Sequence, residues 1–191
     1  TGYRNLGLHE LKGWDANVSY GIELFGGYLD FNYFASKLTE RTIADDSFGD
    51  THFTCLGTFN DSCNLILDFP VMDYKHRATA HWSSENIQVQ LVWKHISSIT
   101  DGDDSQVYFT EKLDSFSTVD LSLQFSIFQN MLVTGGVKNL FNKQPQAMGM
   151  NDINYYNRTG ENVFQLGSSN TIPQYYDMFG RTFFFKLSSK F

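Results

Sequence analysis

The sequence predicts an all-β protein, an antiparallel transmembrane β-barrel to which this chain contributes about seven strands. The first observation is the end of the chain, where residues 182–191 divide by parity into a largely apolar set and a set that carries lysines, and finish on Phe191. Neighbouring side chains of a strand point to opposite faces, so one face is largely aromatic and the other carries lysines. The second is that short and long connections alternate, as periplasmic turns and extracellular loops do in such barrels. The terminal stretch alone would also suit the edge strand of a soluble sandwich.

The composition is compatible with this fold class. The chain has 191 residues, a net charge of −7, 41% hydrophobic residues and 16% aromatic residues, and its mean hydropathy is −0.31. No run approaches the roughly 20 apolar residues of a transmembrane helix, whereas barrel strands escape such tests because half of each strand is polar. Aromatic residues favour strands. The acidic balance argues against a nucleic-acid partner.

Seven stretches alternate with a period of two and are predicted as strands. They are residues 11–24, 28–39, 74–82, 87–97, 118–127 and 131–140 and the stretch after Gly180. Short turns at residues 25–27, 83–86 and 128–130 connect three pairs, the first through glycines that accept a positive φ. The long loops are residues 40–73, 98–116 and 141–177. Counting back from a periplasmic C-terminus places these loops outside the cell.

Each predicted strand has one mainly apolar face and one mainly polar face. The charged residues of the polar faces are Asp15, Asp30, Arg77, Lys94, Asp120 and Lys186. A lipid-facing arginine or lysine at the bilayer midplane costs about 2–4 kcal/mol. We therefore expect these side chains to face the lumen of the barrel.

Seven strands do not make a whole barrel, because single-chain bacterial barrels have even strand numbers from 8 upward and an open sheet edge is not tolerated in lipid. Residues 1–10 are too short and polar to supply a convincing extra strand, and the chain does not begin with a signal peptide. The expectation is that residues 1–191 form the C-terminal part of a larger barrel domain.

Two segments near the end of the chain resemble a known family. Residues 136–145 read G-V-K-N-L-F-N-K-Q-P, which is similar to a segment near the end of TonB-dependent outer-membrane receptors. Residues 170–177 read N-T-I-P-Q-Y-Y-D and, with the following M-F-G-R and the terminal Phe191, resemble the closing signature of these receptors. The loop bounded by Cys55 and Cys63 is similar to an extracellular loop of some larger members. The strand pattern covers the whole chain, and the motifs cover about its last third.

The resemblance implies a 22-stranded barrel in the outer membrane of a Gram-negative bacterium, with an N-terminal plug that this chain does not contain. Such receptors import a scarce nutrient, which would be iron-siderophore, a cobalamin-like cofactor or an oligosaccharide, with energy supplied by the TonB complex through the N-terminal region. The ligand would bind at extracellular loops. The barrel assembly machinery would read the terminal strand, with Gly180, Phe183, Phe185 and Phe191 as its assembly signal.

The two cysteines are predicted to form a disulfide, because Cys55 and Cys63 lie in a short stretch expected outside the cell, where thiols oxidise. Metal binding with His52 is the alternative, but this spacing does not match a zinc site. Asp101, Asp103 and the neighbouring Asp104 would suit calcium by their oxygen ligands, although we favour a solvated loop as their explanation. We predict no metal site and no cofactor.

The candidate ligand-facing residues are Tyr155, Tyr156 and Arg158, which lie in the longest loop. Aromatic rings stack on sugars or flat chelates, and arginine pairs with anionic groups. The alternative is that these residues only pack the loop against its neighbours. No nucleophile or metalloprotease motif occurs, so no catalytic residue is predicted.

Two other functions remain open at this stage. One is a small stand-alone outer-membrane barrel that acts as a hydrolase, which would need a serine or aspartate beside a histidine on the lipid edge. The other is an adhesion or binding module, either as a small barrel with long loops or as a soluble sandwich. The sequence favours the receptor because its motifs and strand pattern agree.

Overall fold

A computed structural model of the protein describes residues 7–45, 51–54, 56–59, 71–101, 112–127, 130–146 and 175–189. The strands are β1 (Gly7–Leu24), β2 (Gly27–Asp45), β3 (Thr51–Thr54), β4 (Thr58–Phe59), β5 (Tyr74–Ser83), β6 (Ile87–Ile96), β7 (Ile99–Asp101), β8 (Lys112–Leu113), β9 (Phe116–Ile127), β10 (Met131–Lys138) and β11 (Thr182–Ser189). No described residues form a helix that is long and apolar enough to cross a membrane.

The main sheet contains the seven predicted strands in chain order, β1-β2-β5-β6-β9-β10-β11, and each neighbouring pair is antiparallel. Within the described ranges the sheet does not close, because β1 and β11 lie at opposite edges. The prediction of an antiparallel barrel portion is therefore confirmed in its strand order. A sheet with free edges is what a part of a larger barrel would show.

The first hairpin turns through Phe25 and Gly26, which connect the paired residues Leu24 and Gly27. Their φ angles are 52° and 71°, so this is a two-residue turn of the I′ type, whose twist matches that of the flanking strands. The observed turn is thus one residue shorter than the predicted turn of three residues, since Gly27 already belongs to β2.

The first two strands are longer than the sequence predicts. β1 begins at Gly7 and β2 continues to Asp45, with a register shift beside Gly13. β3 then pairs with the end of β2, so the loop predicted from residue 40 starts later. Lys12 bridges Glu10 and Glu40 at 3.2 and 2.8 Å. These charges lie at the water-exposed end of the hairpin, where strands need no apolar alternation.

Strand pairing divides the main sheet into two faces. One row across the sheet joins Val18, Tyr33, Ala78, Trp93 and Val119. The adjacent row on the other face joins Ser19, Asn32, Thr79, Val92 and Asp120. The register also places all six charged residues predicted for the lumen on this second face, as expected.

The apolar face is uncovered. Val18 is 56% exposed, Tyr20 is 62% exposed and Phe183 is 70% exposed. A soluble sandwich would bury such a face against a second sheet, and large exposed apolar surfaces mark contacts with membranes or partners. The structure therefore favours a sheet that faces lipid.

A small second sheet forms from segments predicted as loops. β4 and β7 pair in parallel, and β7 and β8 pair antiparallel. Its neighbourhood holds most of the buried apolar side chains among the described residues: Met72, Ile99, Leu113, Phe116 and Tyr176. The core of the described structure thus lies at the loop end of the sheet.

Candidate functional site

On the polar face of the main sheet, side-chain amides form hydrogen bonds between neighbouring strands. Asn32 donates from Nδ2 to Asn17 Oδ1 at 3.1 Å and to Ser19 Oγ at 2.7 Å. Gln124 donates to Gln88 Oε1 at 3.1 Å and its own Oε1 accepts from Thr134 at 3.2 Å. These groups are satisfied by one another across strands, so this face can line a water-filled or protein-filled lumen without any apolar cover.

An ionic link on the same face connects the sheet to the turn that follows β10. Lys94 Nζ donates to Asp120 Oδ2 at 2.6 Å, and Asp120 Oδ1 accepts the backbone N–H of Asn139 at 2.9 Å. Asn139 is 1% exposed and has a φ of 51°. Its amide group exchanges two hydrogen bonds of 2.8 Å with the backbone of Lys143. Asparagine tolerates this left-handed conformation better than most residues.

A second asparagine of the motif joins this turn to the beginning of β11. Asn142, with a φ of 53°, accepts from the backbone N–H of Arg181 at 2.9 Å and from Gln144 Nε2 at 3.4 Å. Gly180 has a φ of 67°, and a Cβ there would lie 2.8 Å from Asn142 Oδ1. We call Asn139, Asn142, Gly180 and Arg181 the clasp.

The last long loop is anchored at the outer end of the sheet by two tyrosines of the closing signature. Tyr176 is 4% exposed, and its ring packs edge-on against Phe116 at 5.3 Å between centroids. Burial raises the pKa of Tyr176 to about 12. Burial also raises the pKa of Tyr175, although the charge of the nearby Arg41 acts in the opposite direction. Arg41 is itself 3% exposed.

Aromatic rings gather on the apolar face where β5 begins and β6 ends, beside the middle of β2. His76 and His95 stack at 4.8 Å, and Trp93 meets His76 edge-on at 4.4 Å. Tyr33 and Tyr74 share a hydrogen bond of 2.8 Å between their hydroxyls. This position and composition are typical of the aromatic girdle of a transmembrane barrel.

One hydrogen-bonded pair of side chains in this region was not predicted from the sequence. His95 Nδ1 and Ser117 Oγ lie 2.7 Å apart, because cross-strand pairing places these residues directly opposite each other. A hydrolase would need such a pair, together with a third group that orients the histidine. Among the described residues no carboxylate bonds to His95. The pair therefore gives the hydrolase alternative little support.

The structure describes only some of the residues proposed from the sequence. Gly180 lies in the clasp, and Phe183 and Phe185 are 70% and 72% exposed on the apolar face. Asp101 ends β7 instead of lying in a loop. The remaining candidates lie outside the described residues: Cys55, Cys63, Asp103, Asp104, Tyr155, Tyr156, Arg158 and Phe191.

An antiparallel sheet in chain order, with a bare apolar face and a hydrogen-bonded polar face, defines this chain as part of a transmembrane β-barrel. The solved structures include a similar fold, a crystal structure of a double mutant of the ferric enterobactin receptor PfeA from Pseudomonas aeruginosa. The TM-score is 0.57 and the identity is 15%, over 95% of this chain and 22% of that one.

A second PfeA crystal structure, of a single mutant, aligns over 93% of this chain and 31% of that chain with a TM-score of 0.45 and 14% identity. No family model and no curated protein matches the chain. The chain thus spans less than a third of either receptor structure. Its resemblance to a TonB-dependent receptor barrel is confirmed at the level of the fold.

Proposed function

We propose that the chain is the C-terminal part of the barrel of an outer-membrane receptor that imports a scarce nutrient with energy coupled through TonB. The observation that carries this proposal is the two-faced sheet, in a chain of which 95% aligns with a ferric enterobactin receptor. The clasp adds support, because it gives a structural role to Asn139, Asn142 and Gly180, three residues of the motifs by which the sequence resembles such receptors.

The polar face would line the lumen beside a plug supplied by a preceding part of the protein. Its neighbouring amides are bonded to one another, so a plug can slide or unfold against them without leaving buried groups unsatisfied. The TonB complex would engage the region before the plug. The barrel assembly machinery would read the terminal strand, in which Phe183 and Phe185 project outward.

The long connections would lie outside the cell, in the outer membrane of a Gram-negative bacterium, and would capture the ligand. Tyr155, Tyr156 and Arg158 belong to the loop that Tyr176 anchors at its end, so we propose that they reach the ligand. The disulfide proposed between Cys55 and Cys63 would restrain a second loop. Iron-siderophore, a cobalamin-like cofactor and an oligosaccharide are the nutrient classes to compare.

The proposal is tested by deleting the gene in its host and measuring growth on limiting iron-chelate, cobalamin or glycan. Loss of growth on one nutrient, restored by the intact gene but not in a strain without TonB, is the expected result. Normal growth of the deletion strain on all three, or rescue that is independent of TonB, would contradict the proposal.

A further inference from the structure

A groove of about 370 Å³ crosses the apolar face between β9, β10 and β11. Its walls are Leu121, Leu123, Val133, Val137, Phe183 and Phe185. Pairing places these residues in consecutive rows on the face opposite the amide network. These six residues place the groove on the membrane side of the sheet, and Gly136 and Phe184, which belong to the lumen face, complete its lining.

The floor of the groove is Gly135, and the packing of the chain does not explain this glycine. A Cβ at Gly135 would have one neighbour within 4 Å, the carbonyl oxygen of Phe184 at 3.9 Å. At Gly136, by contrast, a Cβ would lie 2.5 Å from the Phe184 ring and 2.6 Å from the Leu121 carbonyl oxygen. Glycine weakens a strand interior and often marks a close approach by a ligand. Gly135 leaves a hollow that nothing in the described chain fills.

The dimensions suit a single hydrocarbon chain. Val137 is four residues beyond Val133 along β10, which is roughly 13 Å at about 3.3 Å per residue. One leaflet of the hydrocarbon core is about 15 Å thick, half of the roughly 30 Å total. Phe183 and Phe185 stand at one side of the hollow, 70% and 72% exposed. A flexible methylene chain can lie between these rings and the leucines of β9.

A cation stands at the outer end of the same strand. Arg181 precedes β11 and is two residues from Phe183, so its position continues the row of outward residues toward the clasp. It is exposed and forms no ion pair with another described residue. Arginine binds phosphate oxygens through paired hydrogen bonds. An apolar groove that leads to an arginine matches a lipid with an anionic head and an apolar tail.

We propose that this groove is a lipid-binding site, in which one acyl chain lies over Gly135 and the anionic headgroup of the same lipid contacts Arg181. The site rests on the membrane location proposed above but not on transport. It differs from the general lipid contact of a barrel because a defined hollow and a defined cation hold one lipid longer than its neighbours.

The test uses the full-length protein in vesicles of phosphatidylethanolamine and phosphatidylglycerol, doped with a phosphatidylglycerol that carries a diazirine in one acyl chain. After photolysis, labelled peptides are mapped by mass spectrometry. The expected result is excess labelling of β9, β10 and β11 over Leu91 on β6, which lies in the same row as Leu121. Gly135→Leu should lower this excess by about tenfold, since contact with about two methylene groups is lost.

Ala80→Leu is the matched control, because Ala80 lies on the same face, in the row of Leu121 next to the row of Gly135, but outside the groove. It should leave the excess unchanged, whereas Arg181→Gln should lower it. Gly135→Ala, which fills less of the hollow, covers the case in which the leucine variant does not fold. The proposed site would be overturned if the folded protein showed no excess labelling of β9, β10 and β11. It would also be overturned if both Gly135→Leu and Gly135→Ala left that excess unchanged. Such a result leaves the growth assay of the transport proposal unaffected.

Discussion

Asn142 Oδ1 accepts the backbone N–H of Arg181 at 2.9 Å, across 39 residues of chain. This bond ties the turn after β10 to the first residues of β11, the strand that ends the described sheet. The long loop between them must lose entropy when its ends are brought together, and this loss opposes the pairing of β10 with β11. A fixed contact at the base of the loop therefore favours a single register for the start of β11.

Asn142→Ala should destabilise the folded barrel by about 1–3 kcal/mol, because the Arg181 N–H loses its acceptor and alanine is disfavoured at a φ of 53°. Asn142→Gly removes the acceptor but accepts the φ angle, so its loss should be smaller. Reversible urea unfolding in detergent, followed by tryptophan fluorescence, measures both variants. Equal stability of Asn142→Ala and the parent protein would contradict the role of the clasp.

Gly180→Ala should cost more than Gly26→Ala, although both glycines have φ angles near 70°. Each alanine carries a backbone penalty of about 1–2 kcal/mol. At Gly180 the new Cβ would also lie 2.5 Å from Gln144 Nε2 and 2.8 Å from Asn142 Oδ1, whereas at Gly26 nothing lies within 4 Å. The difference between the two unfolding free energies isolates the steric part. Equal losses of unfolding free energy in the two variants would show that the clasp accommodates the added Cβ without steric strain.

Phe25→Asn should stabilise the first hairpin. Phe25 has a φ of 52° and is 88% exposed, so its ring gains little from burial while its backbone is in the left-handed region. Asparagine followed by Gly26 is a preferred pair for a type I′ turn. A gain of about 1 kcal/mol in urea unfolding is expected. A loss of stability would indicate that the ring contacts the membrane interface or a partner.

The stability of the protein should fall as the pH rises above 10. Burial raises the pKa of Tyr176 from 10.0 to about 12, so in this window the unfolded chain releases the phenolic proton while the folded chain retains it. Unfolding then becomes more favourable with increasing pH. The Tyr176 hydroxyl also has no partner among the described residues.

Tyr176→Phe should therefore be at least as stable as the parent protein near neutral pH, because a buried unsatisfied hydroxyl is removed. It should also lose less stability between pH 10 and 12. Parallel unfolding curves across this range make the comparison, with Tyr20→Phe, on the exposed apolar face, as the control. The same decline in all three proteins would exclude Tyr176 as its source.

The seven main strands could be predicted because one face of each is apolar, which imposes a period of two on the sequence. The outer parts of β1 and β2 carry Glu10, Lys12 and Glu40 and lie in water on both sides, so no such period marks them. β4, β7 and β8 have two or three residues each, too few to show a period. Their pairing depends on contacts between distant loops.

The residues of the candidate site could be predicted only where they belong to a recognisable sequence motif. Asn139, Asn142 and Gly180 stand in the resembling segments, although the bonds that connect them require the fold. The pairing of His95 with Ser117 follows from cross-strand register, and the burial of Arg41 near Tyr175 brings together residues that are far apart in the sequence. Neither is visible in a linear pattern.

The clasp also bears on the diameter of the barrel to which this sheet belongs. It fixes Lys138 opposite Thr182, and the offset of each strand against the next contributes to the total shear of a closed barrel. Strand number and shear together set strand tilt and barrel radius. A slip of two residues at Gly180 would keep every side chain on its present face and still change the diameter of the closed barrel.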